Sequence, residues 1–101
     1  GGVQLQEQYS ARVAKLRAAL AELATDHPIL RNVHDVRVRE TPEGELVVFH
    51  CTVDPLHTVM DVHQQVDELE SDLRRRFPGV RRVIGHAEPR DHARVTAPQT
   101  M

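Results

Sequence analysis

The stretch VRRVIGHAEP, residues 80–89, ends with a histidine and a glutamate two positions apart. On a strand, residues i and i+2 leave the same face, so His86 and Glu88 project together. An imidazole nitrogen and a carboxylate oxygen suit a borderline divalent cation such as zinc. Two donors do not make a site, and a plain His–Glu pair at a strand end explains them as well. The wider histidine pattern is less ordinary. There are seven histidines in 101 residues. His34, His50 and His86 fall one on each of three extended segments. His63 falls near the start of a helical segment, with Asp67 one turn later and placed to orient its ring. None is adjacent to another, so spacing alone does not show whether they converge.

The other reactive types have simpler readings. Cys51 faces the apolar side of its segment and reads as a small buried hydrophobe. His27, before Pro28, reads as a helix-end residue; His57 and His92 read as solvated. Arg74, Arg75 and Arg76, followed by Arg81 and Arg82, form a basic cluster that suits a solvated helix end, where cations complement the dipole. The only serines are Ser10 and Ser71, both in helical segments, and there is no Gly-rich phosphate loop. With no nucleophile–base arrangement, no enzyme is expected.

Five elements must position these groups. Tyr9, Val13, Leu16, Leu20 and Leu23 step by 4, 3, 4 and 3 along one helical face. Asp26-His27-Pro28 stops that helix. Residues 33–40 alternate as a strand, which puts His34, Val36 and Val38 on one face and Asp35, Arg37 and Arg39 on the other. Thr41-Pro42-Glu43-Gly44 is a turn. Residues 45–53 form the partner strand, with Val47, Phe49, Cys51 and Val53 on one face. Leu46, Val48, His50 and Thr52 occupy its other face, which is too apolar for a solvated surface and implies a covering partner. Thr58 with Asp61 is an N-cap signal. Val59, Val62, Val66, Leu69 and Leu73 then define a second amphipathic helix running to about Phe77, ended by Pro78-Gly79. Residues 80–88 are a third strand, with Arg82, Ile84, His86 and Glu88 on one face. The order is α-β-β-α-β, an α+β two-layer sandwich. Residues 1–8 read as an N-terminal extension or cloning scar, 9–89 as one domain, and 90–101 as a loose tail.

Bulk properties set bounds. A chain of this length holds one small core, thin here because only three residues are aromatic. A formal net charge of −2 and a pI near 6.4 give no global attraction for nucleic acid. One cysteine allows no internal disulfide and suits a reducing compartment.

NVHDVRVR, ELVVFHCTVDP and TVMDVHQQVDELESDLRRRFPGVRRVIGHAEP resemble, in order and spacing, the cytosolic C-terminal domain of cation diffusion facilitator transporters. The resemblance covers about residues 8–89. It implies an open ferredoxin-like, metallochaperone-like fold and a homodimer at the cytoplasmic face of the cell membrane, joined to a transmembrane domain. It also implies divalent metal bound at the subunit interface, with binding closing the dimer to favour transport. Carried over by position, the ligands are His34, His50, His63, His86 and Glu88. The cation is zinc, or cobalt, nickel, cadmium, manganese or iron(II). Glu88 stands where the zinc exporters often have Asp, a longer arm that shifts the oxygen. A purely structural dimerisation module and a stand-alone metal-binding protein are the alternatives.

Overall fold

The computed structural model describes residues 2–90. Helix α1 (Gly2–Ala24) is followed by strands β1 (Arg31–Thr41) and β2 (Gly44–Val53), helix α2 (Val59–Arg76) and strand β3 (Val80–Pro89). The α-β-β-α-β order and the α+β class are those expected from periodicity. α1 starts two turns before its periodic face, because Gln and Glu favour helix without needing a core to face. The tail expected over 90–101 lies outside the described residues apart from Arg90, as does His92.

The sheet runs β1-β2-β3, with β1–β2 antiparallel and β2–β3 parallel. β1 and β2 are joined by a two-residue loop, Pro42-Glu43, between the paired Thr41 and Gly44. Gly44 has φ 134°, and a Cβ there would stand 2.8 Å from the Gly79 carbonyl oxygen, so the turn needs glycine. Both helices pack on the β2 face that carries Val47, Phe49 and Cys51, each fully buried. Leu16 and Leu20 from α1, and Leu69 and Leu73 from α2, complete that core. β3 approaches so closely that a Cβ on Gly85 would lie 2.7 Å from the Phe49 ring.

Polar contacts fix the helices on the sheet. The Tyr9 hydroxyl donates to the Val38 carbonyl. Arg12 donates twice to Glu45, at 2.7 and 2.9 Å, and lies over the Phe77 ring. Those bonds hold the Glu45 carboxyl below the ordinary carboxylate range. The Thr58 side chain accepts from the Asp61 amide at 3.0 Å, and the Asp61 carboxylate accepts from the Thr58 amide, a full capping box for α2. The periodicity placed Val59 in the core; it is instead 86% exposed, because the first turn of α2 runs past the packed interface. Core contact begins with the partly buried Val62.

His27 is more than a helix end. It is buried, with Nδ1 2.9 Å from Gln65 Oε1 and Nε2 3.0 Å from Asp72 Oδ2, while Glu68 lies 3.8 Å away. It therefore clamps the segment after α1 onto α2. Burial opposes its charge. The hydrogen bonds to Asp72 and Gln65, with the charges of Asp72 and Glu68, outweigh that, so its pKa is raised. A raised pKa means that protonation stabilises the fold. The gain is complete below the unfolded histidine value of about 6.5 and is lost as pH rises through the folded value. His27→Gln is expected to cost about 1.5–3 kcal/mol in mild acid, the worth of a charged hydrogen bond. The gap from the parent shrinks at alkaline pH. Urea midpoints from pH 5.5 to 8.5 measure this, and a gap that widens with pH contradicts it.

Candidate metal centre

The uncovered face of the sheet carries the candidate donors. Register brings His34 opposite His50, and His50 opposite His86, so three imidazoles form one rung across three strands. Ring centroids are 5.9 Å apart for His34–His50 and 5.1 Å for His50–His86. The next rung pairs Arg31, Thr52 and Glu88; on the other side lie Arg37, Val48 and Ile84. Leu46, Val48 and Ile84 are half-buried with no helix over them, which matches the apolar face read from the sequence.

Alternation placed His34 on the same face as Val36 and Val38, and that is corrected by the register. Two bulges interrupt β1. Arg31 pairs with Thr52, His34 with His50 and Arg37 with Val48, so two residues of β1 oppose one of β2 twice in succession. Asn32 (φ 52°) and Asp35 (φ 51°) sit in these bulges in the left-handed region, which Asn and Asp tolerate better than other side chains. The second bulge flips the parity. Val36 and Val38 keep the core, while His34 and Asp35 turn to the open face.

Asp35 is the site residue that the periodicity missed. Its Oδ2 lies 3.6 Å from His50 Nε2, and its Oδ1 accepts from Arg37 Nε at 3.2 Å. On the other edge of the same ring, His50 Nδ1 lies 3.5 Å from Glu88 Oε2. The signal was present as an Asn and an Asp three apart around His34, in a strand whose remainder alternates valine with arginine. His34 Nδ1 lies against the Asn32 carbonyl.

His63 stands apart from this rung. It is exposed on α2, with Nε2 3.4 Å from Asp67 Oδ2, the i,i+4 partner expected for it. Both line a groove of about 500 Å³ between α2 and β3, above Val62, Val66 and Val83. Cys51 lies on the buried face, its thiol pushed up to about 11 by burial and, secondarily, by the Glu88 charge. It is protonated at neutral pH and faces away from the histidine rung. Arg75 pairs with Asp72 on its own helix, and Arg76 with Glu22 at 2.9 Å, which ties the basic helix end to α1.

Nitrogen and carboxylate donors, without thiolate, suit zinc and its divalent neighbours. Yet among the described residues no three His, Cys, Asp or Glu side chains surround a common point as a cation needs. The rung supplies the correct donor types from one chain and leaves the coordination sphere incomplete.

The same architecture is found in known proteins. A family described as cation efflux protein, cytoplasmic domain, matches residues 14–90, and the chain belongs to that family. It is 32% identical over 71 residues to the cation-efflux pump FieF of Pectobacterium atrosepticum, covering 70% of this chain and 23% of the pump. FieF of Escherichia coli K12 is 27% identical over 73 residues. The chain thus spans about a quarter of the length of these pumps. Among solved structures, the Zn form of CzrB superposes with a TM-score of 0.68 at 30% identity, covering 81% of this chain and 89% of that one. The metal-bound C-terminal domain of the CzcD transporter from Thermotoga maritima gives 0.69 at 20% identity, covering 78% and 92%, and shares the fold. No helix among the described residues is long and apolar enough to cross a membrane.

Proposed function

We propose that this chain is the metal-sensing cytoplasmic domain of a divalent-cation exporter, and that it works as a homodimer. The observation that carries this is the rung of His34, His50 and His86 beside Glu88, chemically suited to zinc but incomplete in one chain. A second subunit completes it, with His63 joining from α2 across the interface. The half-buried Leu46, Val48 and Ile84 beside the rung support a covered surface there. The likeness to the Zn form of CzrB supports zinc as the cation. The small share of FieF that the chain covers supports a transmembrane part elsewhere in a longer protein.

The energetics are adequate for a switch. Moving a two-state dimer from mostly open to mostly closed takes about 5.5 kcal/mol of differential binding. Complete zinc sites in small domains supply about 10–16 kcal/mol, far more than an incomplete donor set. Zinc that is fully ligated only in the closed dimer therefore biases it towards closure. Ligation needs neutral imidazoles, so affinity falls on acidification.

Calorimetric titration of zinc, run with sedimentation equilibrium, tests the reading. Tight binding to a dimer, with a fixed number of ions per subunit, is expected. A dimer that binds no zinc would make this a metal-independent dimerisation module; a monomer holding zinc would make it a stand-alone metal-binding protein.

A further inference from the structure

We propose that Asp35 is a positioning residue for the metal site: its carboxylate, 3.6 Å from His50 Nε2, favours the Nε2–H tautomer and so presents His50 Nδ1 to the cation. The inference rests on the reading of the rung as a metal site. His50 is the central ring of the three and has a carboxylate on each side, Asp35 at Nε2 and Glu88 at Nδ1. The two ring nitrogens point away from each other, so one cation can use only one of them.

Two observations favour Nδ1 as the ligating nitrogen. Asp35 already carries a cation partner, because Arg37 Nε donates to its other oxygen. A carboxylate shared with a guanidinium is less available as a ligand than a free one and still accepts a hydrogen bond. Among the described residues, Glu88 has no cationic neighbour within ion-pair distance other than His50 itself. With the proton on Nε2, the Nδ1 lone pair faces the Glu88 oxygen at 3.5 Å. A cation between these two donors would join them. Zinc bonds of about 2.0–2.1 Å to each, at a tetrahedral angle, set the donors about 3.3 Å apart. The observed spacing already approximates that bite.

The backbone shows the same purpose. Asp35 holds φ 51° in a bulge, and without that bulge its carboxylate would lie off the His50 face. Residues in sparsely populated backbone regions concentrate where geometry serves a site. An outer partner that fixes the tautomer of a ligating histidine is commonly worth 10–100-fold in metal affinity.

The test uses Asp35→Gly, which keeps a left-handed backbone accessible while removing the carboxylate, and Asp35→Asn, which keeps an acceptor oxygen. Asp35→Gly is expected to weaken zinc binding about 10–100-fold with an unchanged circular dichroism spectrum. Asp35→Asn is expected to recover part of the loss. In the zinc-loaded parent, ¹⁵N histidine NMR should show His50 metallated at Nδ1 and protonated at Nε2. Zinc on Nε2, or parental affinity in Asp35→Gly, overturns the inference and leaves the metal site standing. Absence of zinc binding in the parent overturns the site itself, and this inference with it.

Discussion

Alanine at both His86 and Glu88 is expected to lower zinc affinity more than about a thousandfold while leaving the fold intact. An outer partner of a metal ligand is worth about 10–100-fold, and two ligands lost together exceed that range. His86 is an outer ring of the rung and Glu88 faces His50 Nδ1, so the pair removes both donors that β3 sets beside the central imidazole. Both residues are exposed near the end of an edge strand. Exposed substitutions away from caps and networks shift stability by about 0.5 kcal/mol or less. Competition against a chromophoric chelator reads the affinity, and urea unfolding checks the fold. A double variant that holds zinc as the parent does would sink the site assignment.

Phe49→Ala is expected to cost about 3–5 kcal/mol. Phe49 is fully buried on the central strand and is the largest such side chain in the core. Its ring fills the space left by Gly85, where even one added carbon would collide with it. The other aromatics cannot substitute: Tyr9 is 45% exposed, and Phe77 is only partly buried against the core. A domain of this size has about 5–15 kcal/mol of stability in total, so the variant retains little margin. Chemical denaturation of the metal-free protein gives the number. A loss below about 1 kcal/mol would mean that the ring is not packed as described. Because Phe49 neighbours His50 on β2, zinc added to this variant should recover stability by mass action if the rung re-forms.

Much of the fold was legible because single signals agreed. The 3-4 spacing of Leu16, Leu20 and Leu23, the Thr58–Asp61 cap and the Pro42–Gly44 turn each mark an element that is present. The clean alternation of β2 correctly divided Phe49 and Cys51 from His50. What failed lay where the backbone leaves its period. Alternation assumes one residue per step, and the Asn32 and Asp35 bulges add two residues to β1, so His34 changed face and Asp35 joined the site. Val59 fitted the helical stripe, yet a stripe does not reveal where its first turn passes the sheet edge. His27 lay beside a helix stop, and the clamp to Gln65 and Asp72 spans about forty residues, which local spacing does not encode. The pairing of His50 with His86 is likewise set by the β2-α2-β3 crossover rather than by any local pattern.

The central claim is that a cation draws two copies of this domain together through the histidine rung. Small-angle X-ray scattering of the dimer, with zinc and then with chelator, tests it most directly. The radius of gyration should fall on zinc addition, recover with chelator, and stay constant in the variant carrying alanine at His86 and Glu88. Equal dimensions with and without zinc, at concentrations where calorimetry shows the ion bound, would contradict it.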